Sequence, residues 1–345
     1  MNAAQAYEKF VRPLLFRVDP ESAHNLVIWA LRRGSNIDPV LRLLSSFKPE
    51  IAPRTVFGLT FPNSVGLAGG FDKNGVALPA WAALGFGFVE IGTITAKAQP
   101  GNPRPRIFRY TKQKALINRL GFNNDGADVV ANRLHRLRES GRWPTIPVGI
   151  NIGKSRVTPL DQAPGDYLQS FRRLRKFGDY FVLNISSPNT PGLRSLQERK
   201  LLSNLLLAVR EENRSGKPIL IKIAPDMTTP ELDEIIGACE ENQIAGIIAA
   251  NTTLDHSSIP TGHDQVGGLS GAPLREKSTA LVRDIRARST IPVIASGGIF
   301  DAESAQEKID AGATLLQVYT GFIFRGPALL REIVRGLDRP PAQEP

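Results

Sequence analysis

Eight short apolar runs, rich in β-branched residues, recur along the chain with helix-like stretches between most of them. This repetition constrains the fold more than any other feature. In order they are SVGLAGG from Ser64, GFVEIGTI from Gly87, IPVGINIG from Ile146, YFVLNISS from Tyr180, ILIKIAP from Ile219, GIIAANTT from Gly246, IPVIASGG from Ile291 and TLLQVYTG from Thr314. Each is almost continuously apolar, as a parallel strand covered on both faces must be, whereas a half-exposed strand alternates. Segments such as SLQERKLLSNLLLAVREEN supply the helices between them. Eight β/α units over about 250 residues predict an α/β chain folded as a (β/α)8 TIM barrel. A doubly wound sheet is the weaker alternative, because no G-x-G-x-x-G opens a helix after the first strand.

A barrel concentrates chemistry at the C-terminal ends of its strands. Those ends carry Lys73, Thr93, Asn151, Asn184, Ser187, Lys222, Asn251, Thr252, Gly297, Gly298, Tyr319 and Thr320. Strand ends are where polar residues begin, which accounts for any one of these but not for the set. Lys222 lies inside ILIKIAP, where an unpaired ammonium is costly. Amides and hydroxyls in that ring suit a planar ligand with alternating carbonyl and N–H edges. The glycine turns ASGGIF and YTGFIFRG fall in the seventh and eighth units, where barrels commonly hold a phosphate on backbone N–H groups. A phosphate site combined with a buried lysine fits flavin mononucleotide, FMN, whose reduced ring is anionic.

Composition excludes several other classes. The single cysteine, Cys239, rules out a disulfide framework and a cysteine metal cluster, and no metal site is expected. The net charge of +10 is spread without a long basic run, so it does not by itself indicate nucleic acid, and none is expected as a partner. No stretch approaches the roughly 18 consecutive apolar residues of a membrane span, and the N-terminus lacks a secretory apolar region. The expectation is an intracellular chain, soluble or peripherally bound.

The strings GLAGGFDKNG, VEIGTIT, QPGNPRPRIFR, INRLGFNNDG, GINIGKS, NISSPNTPGLR, IKIAPD, ANTT, GGLSGAPL and ASGGI occur in this order over nearly the whole chain. Together they resemble the dihydroorotate dehydrogenase family, in its class 2, quinone-linked form. Class 1 members are similar in barrel and cofactor but place a cysteine where this chain has Ser187, and they lack the N-terminal extension. The resemblance implies oxidation of dihydroorotate to orotate in pyrimidine biosynthesis, with FMN as hydride acceptor and ubiquinone or menaquinone as final electron acceptor. Ser187 matches the base, with Thr190 and the backbone near Phe122 as a water-linked proton relay. The same resemblance implies substrate contacts from Lys73, Asn118, Arg119, Leu120, Gly121, Phe122, Asn184, Asn189, Asn251 and Thr252. For FMN it implies Gly69, Gly70, Phe71, Asp72, Lys73, Thr93, Asn151, Asn184, Lys222, Gly271, Gly298, Tyr319 and Thr320. One departure is Ala250, where relatives can carry threonine; a flavin contact there must come from its backbone.

Residues 1–48 stand outside the barrel pattern, which is expected over 49–345. In DPESAHNLVIWALRR, Asp19 is a candidate N-cap with Pro20 at the first helical position, and Ala23, Leu26, Val27, Ala30 and Leu31 form one apolar stripe. Phe10, Leu14 and Leu15, interrupted by Pro13, suggest a second helix and so a hairpin. The pattern alone favours simple packing on the barrel. The resemblance implies a quinone entrance with His24, Arg109 and Tyr319 in its pocket, while Arg12, Arg17, Arg32 and Arg33 suit an anionic lipid surface. The expected location is the cytoplasmic face of the bacterial inner membrane, the alternative being the mitochondrial inner membrane. Two rivals are a flavin barrel reducing tRNA uridines, for which Cys239 is misplaced, and a non-enzymatic sugar-phosphate-binding barrel.

Overall fold

A computed structural model describes residues 3–337. The outermost parts of the two expected segments, residues 1–2 and 338–345, lie outside the described residues. The eight expected strands form a closed, all-parallel barrel: Val65–Leu67, Phe88–Ile94, Val148–Ile152, Tyr180–Asn184, Ile219–Lys222, Gly246–Ala249, Val293–Ser296 and Leu315–Val318. They are neighbours in chain order, and the last closes on the first through Leu316 beside Val65.

Alternation along each strand separates two environments. Phe88, Tyr180, Val182, Leu220, Ile248, Ile294 and Leu315 form one buried cluster with Val56 and Phe61 from the hairpin Arg54–Val56 and Leu59–Phe61. Their neighbours in sequence, such as Val89, Phe181, Leu183, Ile221, Ile247, Val293 and Leu316, join a larger cluster with the surrounding helices. The inward parity of the first set, carried two residues further, places Glu90, Asn184, Lys222, Ser296 and Gln317 in the next layer toward the mouth. All five are buried. An apolar floor under a polar ceiling is thus built into the strand sequences.

The N-terminal segment forms the expected second helix, which ends at Phe16 and turns into Pro20–Gly34, but Pro13 acts differently from the expectation. Pro13 does not interrupt a helix; it stands in the first turn of Arg12–Phe16, which follows a wide turn at Tyr7–Val11. Proline is tolerated there because no intrahelical partner is needed for its missing N–H. Asp19 caps Pro20–Gly34 as expected, accepting from the Ser22 N–H at 2.9 Å. A further helix, Asp38–Ser45, follows. The apolar stripe also divides: Ala23 is buried and Val27 and Leu31 face inward, but Leu26 and Trp29 are 51% and 56% exposed. At about 100° per residue, positions 26 and 29 fall on a different side from 23, 27 and 31. No helix among the described residues is long and apolar enough to cross a membrane.

A three-stranded antiparallel sheet lies outside the barrel and was not expected. It joins Ile107–Tyr110 and Ala115–Asn118 to Gly268–Gly271. It carries Asn118 and Gly271 to the barrel mouth and Arg109 to the N-terminal cap.

Candidate active site

A cavity at the barrel mouth collects most of the expected residues on one wall system. Gly69, Gly70, Lys73, Thr93, Asn118, Leu120, Gly121, Phe122, Asn184, Ser187, Asn189, Lys222, Asn251, Thr252, Gly271, Gly298, Tyr319 and Thr320 all line it. Ala250 lines it too, so its backbone is available where its side chain offers no polar atom.

A chain of side-chain hydrogen bonds fixes the floor of this cavity. Gln317 Nε2 and Asn151 Nδ2 donate to the two oxygens of Glu90 at 2.6 and 2.8 Å. The Thr93 hydroxyl donates to Asn151 Oδ1 at 2.6 Å and accepts from Asn184 Nδ2 at 2.9 Å. Asn251 Nδ2 donates to Ser186 Oγ at 2.9 Å, and Ser186 Oγ donates to Asn184 Oδ1 at 3.2 Å. Asn151 therefore holds Thr93 from behind the wall. Burial lowers the pKa of Lys222, and the Glu90 carboxylate acts against that loss.

Over this floor, the segment after the fourth strand presents Ser187, whose Oγ accepts from the Asn189 N–H at 3.3 Å. Asn189 Nδ2 donates to the Asn118 carbonyl at 3.0 Å, tying that segment to the outer sheet. The Thr190 hydroxyl is buried behind the wall with no protein partner. Lys73 donates to the Gly70 carbonyl at 2.8 Å. Its pKa is pushed down to about 8, first by burial and then by Arg106, against the opposing pull of Glu21 and Asp72.

A second cavity of about 260 Å³ lies between the cap and the barrel, with a mostly apolar wall that includes Leu15, Val27, Leu31 and Phe322. His24, Arg109 and Tyr319 line it together, as expected. Burial, followed by the nearby Lys73 ammonium, lowers the His24 pKa to about 3, so this histidine is neutral at physiological pH. Arg109 stacks on Phe16 at 4.1 Å and donates to its carbonyl at 3.0 Å. Burial raises the Tyr319 phenol to about 12, so it remains protonated.

Besides Asn151 and Thr190, three further residues expected at the mouth are not on its wall. Phe71 faces the cap cavity, 5.0 Å from the Tyr319 ring. Asp72 turns inward, its carboxylate accepting from the Val76 and Ala77 N–H groups and from Trp81 Nε1 at 2.9, 2.9 and 3.0 Å. The Arg119 guanidinium donates to the Pro105 carbonyl at 2.9 Å and stacks on Phe108 at 4.7 Å. Glu90, Gln317 and Ser270 were not singled out from the sequence. Glu90 was detectable by the argument used for Lys222, as the lone charge in an apolar strand.

The chemistry of the walls fits a flavin. Buried Thr252 Oγ1 and Gln317 Oε1 have no protein partner, as sites awaiting a ligand's polar edge would not. At the other end, Gly298 has φ +72°, and a Cβ there would lie 2.3 Å from the Arg275 Cα, so the turn admits no side chain. A family model described as dihydroorotate dehydrogenase matches residues 52–340. The chain belongs to the dihydroorotate dehydrogenase family. Members of this family are flavin-dependent. The protein named dihydroorotate dehydrogenase (quinone) from Gloeobacter violaceus is 51% identical over 334 residues, covering 95% of this chain and 93% of that one. Its namesake from Trichormus variabilis is 48% identical over 354 residues, covering 96% and 93%. The crystal structure of the Eimeria tenella enzyme in complex with ferulenol is similar with a TM-score of 0.84 at 38% identity, covering 92% of this chain and 90% of that one.

Proposed function

We propose that this chain oxidises dihydroorotate to orotate with FMN in the mouth cavity and a membrane quinone, ubiquinone or menaquinone, in the cap cavity. The observation that carries this reading is a shared wall: Asn118, Leu120, Ser270 and Tyr319 line both cavities. A group held against that wall has the substrate on one side and the apolar chamber on the other. Bound FMN supplies a hydride acceptor and passes the electrons onward.

The protein groups supply binding and proton transfer. Substrate loses a proton from C5 and a hydride from C6. Ser187 takes the proton, and Thr190, with the Phe122 backbone and an intervening water, carries it away. Asn118, Asn184, Asn189, Asn251 and Thr252 pair with the pyrimidine edges, and the Lys73 ammonium faces the substrate carboxylate. Leu120, Gly121 and Phe122 close one side; Arg119 supports them from behind, its N–H on the Arg106 carbonyl, its own carbonyl on Asn102 Nδ2 and its guanidinium on the Pro105 carbonyl. Gly69, Gly70, Thr93, Asn184, Lys222 and Tyr319 hold the ring, while Gly271, Gly298 and Thr320 surround the phosphate. Asn151, Phe71 and Asp72 support this cradle from behind. Lys222 balances negative charge on the reduced ring.

Residues 1–48 act as a quinone entrance and membrane-facing cap on the barrel of residues 49–345. Exposed Phe10, Leu14, Leu26, Trp29 and Leu43 support a peripheral contact, with the cytoplasmic face of a bacterial inner membrane as the site. The test is anaerobic. The purified protein should be yellow, bleach with dihydroorotate and regain colour with a quinone. A colourless protein, or a flavin unaffected by dihydroorotate, overturns the assignment.

A further inference from the structure

Glu21 is a carboxylate of the cap helix Pro20–Gly34, yet it is only 7% exposed and faces the barrel. Arg106 holds it with Nε at 3.1 Å from both oxygens and Nη2 at 2.8 Å from Oε1. Exposed Arg104 adds a contact at 3.2 Å. The other end of the Arg106 guanidinium, Nη1, donates to the carbonyls of Pro100 and Asn102 at 2.7 and 2.9 Å.

From Asn102 the contacts run directly into the substrate wall. Its backbone N–H donates to the Leu120 carbonyl at 3.1 Å, and its Nδ2 donates to the carbonyls of Arg119 and Asn189 at 2.9 and 3.2 Å. Leu120 and Asn189 line the mouth cavity. The fit is tight: at Gly101, φ +81°, a Cβ would lie 2.2 Å from the Leu120 oxygen and 2.7 Å from Arg106 Nη1. An unbroken set of polar contacts therefore links the cap helix to two substrate-facing residues.

The same ion pair sets the field at Lys73. Arg106 disfavours the ammonium, while Glu21 and Asp72 favour it. His24, on the same helix as Glu21, is held neutral beside it. Without Glu21, Arg106 is an uncompensated buried cation close to a second one.

We infer that Glu21 is a positioning residue for the substrate: it is the counter-charge that holds Arg106 and the Asn102 wall in place and keeps Lys73 cationic for the substrate carboxylate. The cap is thereby part of the dihydroorotate site as well as the quinone's entrance. This rests on the assignment of Lys73 to the substrate carboxylate.

The experiment uses full-length, flavin-loaded Glu21→Gln and reads orotate affinity by flavin absorbance across pH, with KM for dihydroorotate beside it. Wild-type affinity should fall as pH rises through about 8. In Glu21→Gln that fall should begin at lower pH, so that affinity at pH 8 is several-fold weaker than wild type. The change should appear in KM far more than in kcat, and the ratio of quinone to soluble-dye reoxidation rates should stay at the wild-type value. Glu21→Asp, which keeps the charge, should hold the pH break near wild type, and Arg104→Gln should leave both affinity and break unchanged. Unchanged affinity and pH break in Glu21→Gln overturn the inference. Should that variant not accumulate, Asn102→Ala decides on affinity: weaker orotate binding supports the link to the wall and unchanged binding overturns it. A wild-type protein that binds no orotate defeats the functional assignment itself.

Discussion

A serine hydroxyl is a weak base, so the role proposed for Ser187 requires that its proton have somewhere to go. The buried Thr190 hydroxyl, free of protein partners, is suited to receive it through water. Ser187→Ala should keep its flavin and slow bleaching by dihydroorotate by at least about 10²-fold, the range for losing a general base. Ser187→Cys should retain more activity, and stopped-flow absorbance decides; an unchanged rate in the alanine variant removes Ser187 from the role. Lys73 makes a pH-dependent claim. Its folded pKa of about 8 lies below the ordinary lysine value, so the ammonium needed by a carboxylate is present below pH 8 and lost above it. Orotate affinity should weaken about tenfold per pH unit above that point, and Lys73→Met should bind weakly with no such slope. Lys222→Ala should lower the flavin reduction potential and weaken flavin retention, because the reduced anion then sits beside Glu90 without a cation. A wild-type potential in that variant shows that the charge is balanced elsewhere.

The elements of the fold differ in how much of themselves they write locally. Each barrel strand is buried on both faces, so its apolar run is legible without knowledge of its neighbours. The strand Ala115–Asn118 is not, because its partner Gly268–Gly271 lies far along the chain and neither four-residue segment is distinctive alone. The site followed the same division. Asn184 and Lys222 were readable as polar residues ending apolar strands, whereas Glu21 looks like an ordinary acidic residue in a helix's first turn until Arg106 is seen across from it. Lys308 was equally hidden in AESAQEKID, which reads as a solvated helix face. It is fully buried, donating to the Arg275 carbonyl at 2.7 Å and to Ser278 Oγ at 2.6 Å, and Ser278 Oγ donates to the Gly297 carbonyl at 2.9 Å. This side chain therefore braces the helix Arg275–Arg288 against the glycine turn of the seventh unit. Lys308→Met leaves buried acceptors unmatched and should cost about 1–3 kcal/mol each, lowering Tm by several degrees. If the turn holds the phosphate, FMN affinity should fall while riboflavin affinity does not; equal loss of both confines Lys308 to stability.

At the scale of the whole molecule, the two proposed half-reactions share one wall and would draw on different solvents, water at the barrel mouth and lipid at the cap. Removing residues 1–48 does not separate them cleanly, because it also removes Glu21 and leaves Arg106 buried and unpaired. Substitution on the outer face of the cap avoids this. Leu14 and Trp29 are 63% and 56% exposed. Trp29 lies beside the Arg33 guanidinium, 5.8 Å from its ring, and Lys9 sits at the same distance from Phe10. Apolar side chains with adjacent cations suit an anionic lipid surface, to which each buried large side chain contributes roughly 1.5–3 kcal/mol. Changing Leu14 and Trp29 together to glutamate should therefore reduce sedimentation with anionic vesicles by at least about tenfold. Neither residue touches the mouth cavity, so flavin content and bleaching by dihydroorotate should stay at wild-type values. Reoxidation by a long-chain quinone held in those vesicles should slow far more than reoxidation by a soluble dye, since only the lipid-like tail requires the cap to meet the bilayer. Equal slowing of both acceptors with vesicle binding intact makes these side chains structural and places the quinone's entrance on another face.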